Sequence, residues 1–261
     1  MRCRHSRIFS NSPEPARQRG IVSIILIAIL PAVAAAQSLE QRVTQVDSGR
    51  VHLSYPARPG VCGNDHGFSG TPDDDWQGTC EREPVRASLE IRGHRVTRVR
   101  AHVGGKWNET SSAVDLGTVR PQEAASYFLS LAEQVDGPGG DALLAAALAD
   151  SAVIWPALLR VARSPRLPAE TRRSAVFWLS QAAGKAVAPA LDSIASDPRG
   201  DREIRKQAVF ALSQRAANES VPALIQIARV NPDPEIRRTA LFWLGQSEDP
   251  RALALFEEIL R

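Results

Sequence analysis

The chain has 261 residues, 32 of them basic and 29 acidic, so its formal charge at pH 7 is +3. With 43% apolar and 23% charged residues, it is too apolar to be disordered throughout and too charged to be a polytopic membrane protein. The positive excess lies in Met1–Ala36, which holds five arginines and one acid; the rest has 27 basic and 28 acidic residues. We therefore predict no nucleic-acid partner.

Residues 1–36 have the layout of a secretory signal peptide. A basic region precedes the apolar run Ile21–Leu30, and Ala34 and Ala36 supply the small residues of a cleavage site. The 16 residues from position 21 to 36 include a proline and fall short of the roughly 20 apolar residues that span a bilayer. We predict cleavage before Gln37, a periplasmic or extracellular location, and membrane contact through this segment alone. An uncleaved anchor is the alternative.

Two cysteines remain after the signal segment, Cys62 and Cys80. In an exported chain, two cysteines most simply form a disulfide. The 17 residues between them are rich in glycine and aspartate and offer little to bury. Closing such a loop would stabilise the fold by about 3 kcal/mol on the chain-entropy estimate.

Residues 37–120 are predicted to form a small antiparallel β segment of four to six strands. From about Leu39 to Val119, apolar residues alternate with others, as in strands that are buried on one face. Turn residues at Asp47–Gly49 and Arg92–His94 flank these runs. The other face of the sheet is predicted to carry the polar residues Arg86, Glu90, Arg98, Arg100 and His102.

After Gly117 the period becomes helical and remains so to the last residue. One amphipathic helix is predicted over Gln122–Val135 and another over Asp141–Asp150. Beyond them the chain repeats itself at a step of 32 to 33 residues. The repeated stretches are Ala175–Gln181, Ala208–Gln214 and Ala240–Gln246, and a second set is Pro156–Leu158, Pro189–Leu191 and Pro222–Leu224.

Each repeat is interpreted as a pair of helices joined by a short turn. Such a unit cannot bury its apolar face alone, so at least three must stack to give a continuous core. Residues 121–261 are therefore predicted to form an α-solenoid of about four helical repeats. The fold class is α+β, with this solenoid preceded by the antiparallel β segment.

The stretch Asp233–Gly245, its counterparts one and two units earlier, and Asp249–Leu253 resemble the short HEAT-like repeats that also occur in phycobilisome-lyase-type HEAT families. The resemblance covers about Asp141–Arg261. It implies an α-solenoid that binds proteins, and it does not imply lyase activity. The whole layout also resembles a group of exported bacterial HEAT-repeat proteins without an established activity.

Charged residues recur where the first helix of each unit begins. Arg172, Arg205 and Arg237 could form a basic stripe for an acidic protein partner, and we take them as candidate protein-binding residues. The structural alternative concerns their neighbours, which form i,i+3 acid–base pairs in the first helical turn. These pairs are Glu170 with Arg173, Glu203 with Lys206 and Glu235 with Arg238.

Other repeated residues are interpreted as structural. Gln181, Gln214 and Gln246 end the first helix of successive units, where a stacked amide ladder could satisfy carbonyl groups. Trp178 and Trp243, with the phenylalanines beside them, are interpreted as packing rather than as a binding cage.

No catalytic motif is found: the sequence lacks a Gly-x-Ser-x-Gly elbow and a complete P-loop. We predict a non-enzymatic, exported protein that binds a protein partner in the cell envelope, with no cofactor, metal or catalytic residue. The sequence does not predict the oligomeric state. One alternative is an enzyme or enzyme subunit with its site in the Cys62–Cys80 loop and the adjacent His52 and His102. The other is a ligand- or metal-binding sensor module in the same loop.

Overall fold

A computed structural model describes residues 37–59, 61, 76–77, 84–107, 112–182 and 186–261. The signal segment 1–36 and both Cys62 and Cys80 lie outside the described residues, so their predicted cleavage and disulfide stay predictions. Residues 37–261 form one compact unit. No helix within the described ranges is both long and apolar enough to cross a membrane.

The N-terminal part holds one short helix and six strands. They are α1 (Leu39–Thr44), β1 (Gly49–Tyr55), β2 (Trp76–Gln77), β3 (Val85–Arg92), β4 (Arg95–Val103), β5 (Lys106–Trp107) and β6 (Val114–Thr118). The strand prediction was wrong for α1. Ser38 starts this helix with a capping box, in which its Oγ accepts from the Gln41 backbone N–H and the Gln41 side chain accepts from the Ser38 N–H.

Four of the strands form a sheet in the order β4-β3-β1-β6. β1, β3 and β4 are antiparallel neighbours, but β6 runs parallel to β1, which corrects the prediction of a wholly antiparallel sheet. Apolar and polar residues alternate with a period of two in both parallel and antiparallel strands, so this pattern cannot distinguish the two kinds of pairing. The predicted turn between β3 and β4 is confirmed: Gly93 and His94 both have positive φ, as a type I′ hairpin requires.

The sheet is covered on both faces, more fully than the sequence predicted. On the apolar face, the Tyr55 hydroxyl donates a 2.7 Å hydrogen bond to the Ala145 carbonyl, and its ring lies 5.8 Å from the Phe128 ring. On the polar face, His52 and His102 are buried at 3% and 6% exposure. The His52 ring stacks on Trp107 of β5 at 3.7 Å, so part of the face expected to meet solvent lies under another strand.

Nine helices are described after the sheet. They are α2 (Pro121–Ala132), α3 (Gly139–Ala147), α4 (Trp155–Arg163), α5 (Ala169–Gln181), α6 (Val187–Ala195), α7 (Arg202–Ser213), α8 (Ala217–Val230), α9 (Pro234–Gly245) and α10 (Pro250–Ile259). α3, α5, α7 and α9 pack on one another in sequence and form one layer. α2, α4, α6, α8 and α10 form the second layer, as expected for stacked helical hairpins.

The repeated apolar positions form the core between the layers. The three equivalent alanines of α5, α7 and α9, Ala175, Ala208 and Ala240, are fully buried. Val161, Ile194 and Ile227 of the second layer are at most 3% exposed. The repeat register read from the sequence is therefore the packing register of the solenoid.

Candidate functional site: the outer face of the repeat helices

The outer face of α5, α7 and α9 carries an aromatic row, which we define as Phe177, Phe210 and Phe242. These side chains occupy the same position in three consecutive units and are 47%, 41% and 59% exposed. Side chains of this size are seldom left in water without a reason when they recur on one surface. The row is thus the main apolar feature of this face.

The aromatic row is held in place by the tryptophans beside it. Phe177 makes an edge contact with Trp178, and Phe242 makes one with Trp243, each with 5.0 Å between ring centroids. Phe210 of α7 lies 5.0 Å from Trp243 of the next unit. Trp178 is 5% exposed and Trp243 is partly buried, so the tryptophans pack under the row while the phenylalanines remain accessible.

Two charged rows run beside the aromatic row, the basic row one helical turn away and the acidic row two turns away. Arg173, Lys206 and Arg238 lie four residues before the phenylalanines, and each makes the predicted i,i+3 pair with Glu170, Glu203 or Glu235. These pairs confirm the structural interpretation of the repeated acid and base. Because each pair is internally neutral, this part of the face does not present a net charge to a partner.

Gln181, Gln214 and Gln246 lie on the other side of the aromatic row and are exposed. The amide groups of Gln181 and Gln214 each donate a 3.2 Å hydrogen bond to the hydroxyl of the preceding serine. They are bonded to these local hydroxyls rather than to the carbonyls suggested by the sequence.

Arg172, Arg205 and Arg237 lie where successive units meet, rather than on the outer face. Arg205 is 4% exposed, and its guanidinium donates to Ala195, Asn231 and Asp233. Arg172 lies 3.6 Å from Asp201, and Arg237 donates to the backbone carbonyls of residues 231 and 232. Partner binding through these arginines stays a prediction, and the contacts observed within the chain are structural.

The polar face of the sheet was the candidate region for an enzyme or a metal site. There, His52 stacks on Trp107, and Arg86 donates a 2.6 Å hydrogen bond to the Gly105 carbonyl. His94 lies in the β3–β4 turn beside Asp47. Among the described residues, no group of three or more His, Cys, Asp or Glu side chains is placed to hold a metal ion. Both alternatives depend on the loop from Cys62 to Cys80, which lies outside the described residues apart from positions 76–77.

In a comparison with known protein families, residues 199–261 match the family model of HEAT repeats. These residues include α7 to α10, and the aromatic row continues into the preceding unit at Phe177. The chain therefore carries HEAT repeats in its C-terminal part, as the resemblance implied. No curated protein matches the chain.

Two features of this region escaped the sequence interpretation. The exposure of the aromatic row was missed because apolar residues within an amphipathic helix are by default assigned to the core. The burial of Arg205 was missed because arginine is rarely inside unless it is paired. The signal that could have predicted this burial is the presence of two polar partners, Asn231 and Asp233, 26 and 28 residues further on and therefore almost one repeat away.

Proposed function

We propose that this chain is an exported, non-enzymatic HEAT-repeat protein that binds a partner protein in the cell envelope through the outer face of α5, α7 and α9. HEAT repeats generally mediate protein–protein contacts, and stacked repeats offer an extended surface for them. The observation that carries the proposal is the aromatic row, which repeats in three units and stays accessible. Export is supported by the signal-like pattern of residues 1–36.

The occupant that suits this face is an extended segment of a polypeptide. Successive helices in a layer lie roughly 8–10 Å apart, so the row offers apolar contacts at that interval. The exposed glutamine amides beside it can exchange hydrogen bonds with a backbone that runs across the helices. Because the charged rows are neutral in pairs, apolar burial rather than charge attraction supplies most of the affinity.

The test is site-specific photo-crosslinking in the producing cell. A photoreactive phenylalanine analogue replaces Phe177, Phe210 or Phe242 in turn, which preserves the aromatic side chain. All three positions are expected to label the same polypeptide. Gln226, which is exposed on α8 in the other layer, is the matched control and is expected to label nothing specific.

Two results would contradict the proposal. Different labelled species at the three positions, or the same species at Gln226, would mean that the row is not a common binding surface. A Phe210→Ser variant provides a second check, since it should weaken crosslinking from position 177. Export is tested separately by mass spectrometry of the mature protein, for which a start at Gln37 is expected.

A further inference from the structure

Two consecutive junctions between repeat units share one plan. In each, an arginine of the first helix points toward an aspartate that caps the first helix of the next unit. The pairs are Arg172 with Asp201 and Arg205 with Asp233, at 3.6 Å and 3.1 Å. We call these the α5–α7 junction and the α7–α9 junction.

The α7–α9 junction is filled by Asn231. This side chain is 3% exposed, accepts a 3.0 Å hydrogen bond from Arg205 and donates one of 3.2 Å to the Ala195 carbonyl. Arg205 Nε donates to the same carbonyl at 3.1 Å. Every nitrogen of this guanidinium therefore has an acceptor within the chain.

The α5–α7 junction lacks that filling side chain. Arg199, also two residues before the cap aspartate, occupies the place of Asn231 in the sequence, but it is exposed. A cavity of about 150 Å³ lies there, lined by the arginines 163, 172, 199 and 205 and by Asp197 and Asp201. Within the described part of the chain, the buried Nε of Arg172 has no hydrogen-bond partner.

The charges around this cavity favour an anion. Asp201 is committed elsewhere: it accepts hydrogen bonds from the Glu203 and Ile204 backbone N–H groups. The Ile204 bond is the largest cause of its lowered pKa, with the nearby Arg172 adding to it, so it is ionised at neutral pH. Asp197 accepts from the Arg199 backbone N–H. Arg205 is neutralised by Asp233, which leaves three arginines against two aspartates.

We propose that the cavity at the α5–α7 junction binds an oxyanion of the size of a carboxylate or a phosphate. The Nε–H of Arg172 and the guanidinium of Arg199 are its donors. An oxygen of the anion accepts from this Nε–H, as the Ala195 carbonyl does from the Nε–H of Arg205 in the other junction, and the charge of the anion balances the surplus arginine. A water molecule would satisfy the single N–H but not the charge. This site is independent of the proposed function, because it lies in the junction and not on the aromatic row.

The test compares inorganic phosphate and acetate with chloride at equal ionic strength, on the purified protein without a bound partner. At tenfold above Kd, the bound anion should raise Tm by about 3–6 °C. In a ¹H–¹⁵N spectrum, the Nε–H signal of Arg172 should shift saturably with the anion that binds. Tighter binding of acetate would indicate that the ligand is a carboxylate, and tighter binding of phosphate would indicate that it carries a phosphoryl group.

The decisive variant is Arg199→Asn. Position 199 is exposed, and the substitution introduces there the asparagine that fills the α7–α9 junction as Asn231. It should weaken anion binding at least about tenfold, because it removes a charged donor and offers its own amide to Arg172. Arg166→Asn, in the same neighbourhood but away from the cavity, makes the same charge change and should bind as the wild type. The proposal is overturned if neither anion shifts the Arg172 signal, or if the two variants bind equally well.

Discussion

The junctions on the two sides of α7 differ in one side chain and in its consequences. Around Arg205, the loop before α9 turns Asn231 inward and completes a closed network of an arginine, an aspartate, an asparagine and a carbonyl. Around Arg172, the corresponding Arg199 stays in solvent, and a cavity remains. Repeats that look alike in sequence can therefore differ in the packing and hydrogen bonding of their junctions, because a junction is made of residues from two units.

The comparison also separates two roles of a repeated arginine. In the closed network, the residue is part of the core and its removal leaves buried polar partners behind. In the open junction, the equivalent arginine has an Nε–H without an acceptor among the described residues, and this donor is the one that we propose for an anion. Three substitutions would break or sharpen this contrast, and a fourth tests a helix cap outside the two junctions.

The largest effect is expected for Arg205→Ala. It should lower the free energy of unfolding by about 2–4 kcal/mol, because a buried side chain and its hydrogen bonds to Asn231 and to the Ala195 carbonyl are lost together, whereas Asp233 keeps its ion pair with Arg202. Urea unfolding followed by circular dichroism measures the change. Arg229→Ala, which removes an exposed arginine from α8, is the control and should stay within about 0.5 kcal/mol. A loss below about 1 kcal/mol for Arg205→Ala would mean that the network is not cooperative.

Asn231→Ala should follow, with a loss of about 1–3 kcal/mol. Its side chain makes hydrogen bonds to Arg205, to the Ala195 carbonyl and to the Asp233 backbone N–H, and all are lost together. A double-mutant cycle with Arg205→Ala measures the coupling between them. Simple additivity of the two losses would contradict a shared network.

Arg172→Ala should have a smaller effect, about 1 kcal/mol or less, because its ion pair with Asp201 is long, at 3.6 Å, and its Nε makes no hydrogen bond within the described chain. The same urea experiment measures it. The ratio between the losses for Arg205→Ala and Arg172→Ala is the direct test of the contrast. Equal losses would show that the two junctions are energetically alike.

The smallest expected effect is on the stability of the fold at acidic pH, through the carboxylate of Asp249. Hydrogen bonds from Arg251, first from its side chain and then from its backbone N–H, lower the pKa of Asp249 to about 2. A lowered folded-state pKa stabilises the fold above the unfolded-state pKa near 4, and this contribution is lost as the pH falls through about 2. Asp249→Asn should therefore flatten the dependence of unfolding free energy on pH between about 4 and 2. An unchanged slope in this interval would contradict the linkage.

Most of the repeat half could be predicted from the sequence. The recurrence of Ala, Phe, Leu and Gln at a fixed step gave the register. The structure adds that the side chains of the aspartates before α7, α9 and α10 cap these helices, a signal that the sequence interpretation did not use. The sheet half was predicted less completely. A capping box overrode the alternating pattern at α1, and the parallel pairing of β6 left no trace in the period of the strand.

The outer surface shows a different limit. The three phenylalanines were recognised as equivalent, but their exposure depends on how far each helix turns its face away from the neighbouring layer. This rotation depends on packing between units, such as the contact between the rings of Phe210 and Trp243 of the next unit. The residue type and its spacing in the sequence do not specify this rotation, and so they do not specify the exposure of the phenylalanines.

The sequence by itself determined the two-part organisation, the helical pairs and the order in which they stack, because these depend on local periodicity and caps. The tertiary structure decided which repeated residues face water and which are enclosed. Arg172 and Arg205 have the same place in the repeat, yet among the described residues only Arg205 has an acceptor for every guanidinium nitrogen. The acceptors of Arg205 are the Ala195 carbonyl before it and the side chains of Asn231 and Asp233, 26 and 28 residues after it, and only folding brings them into contact.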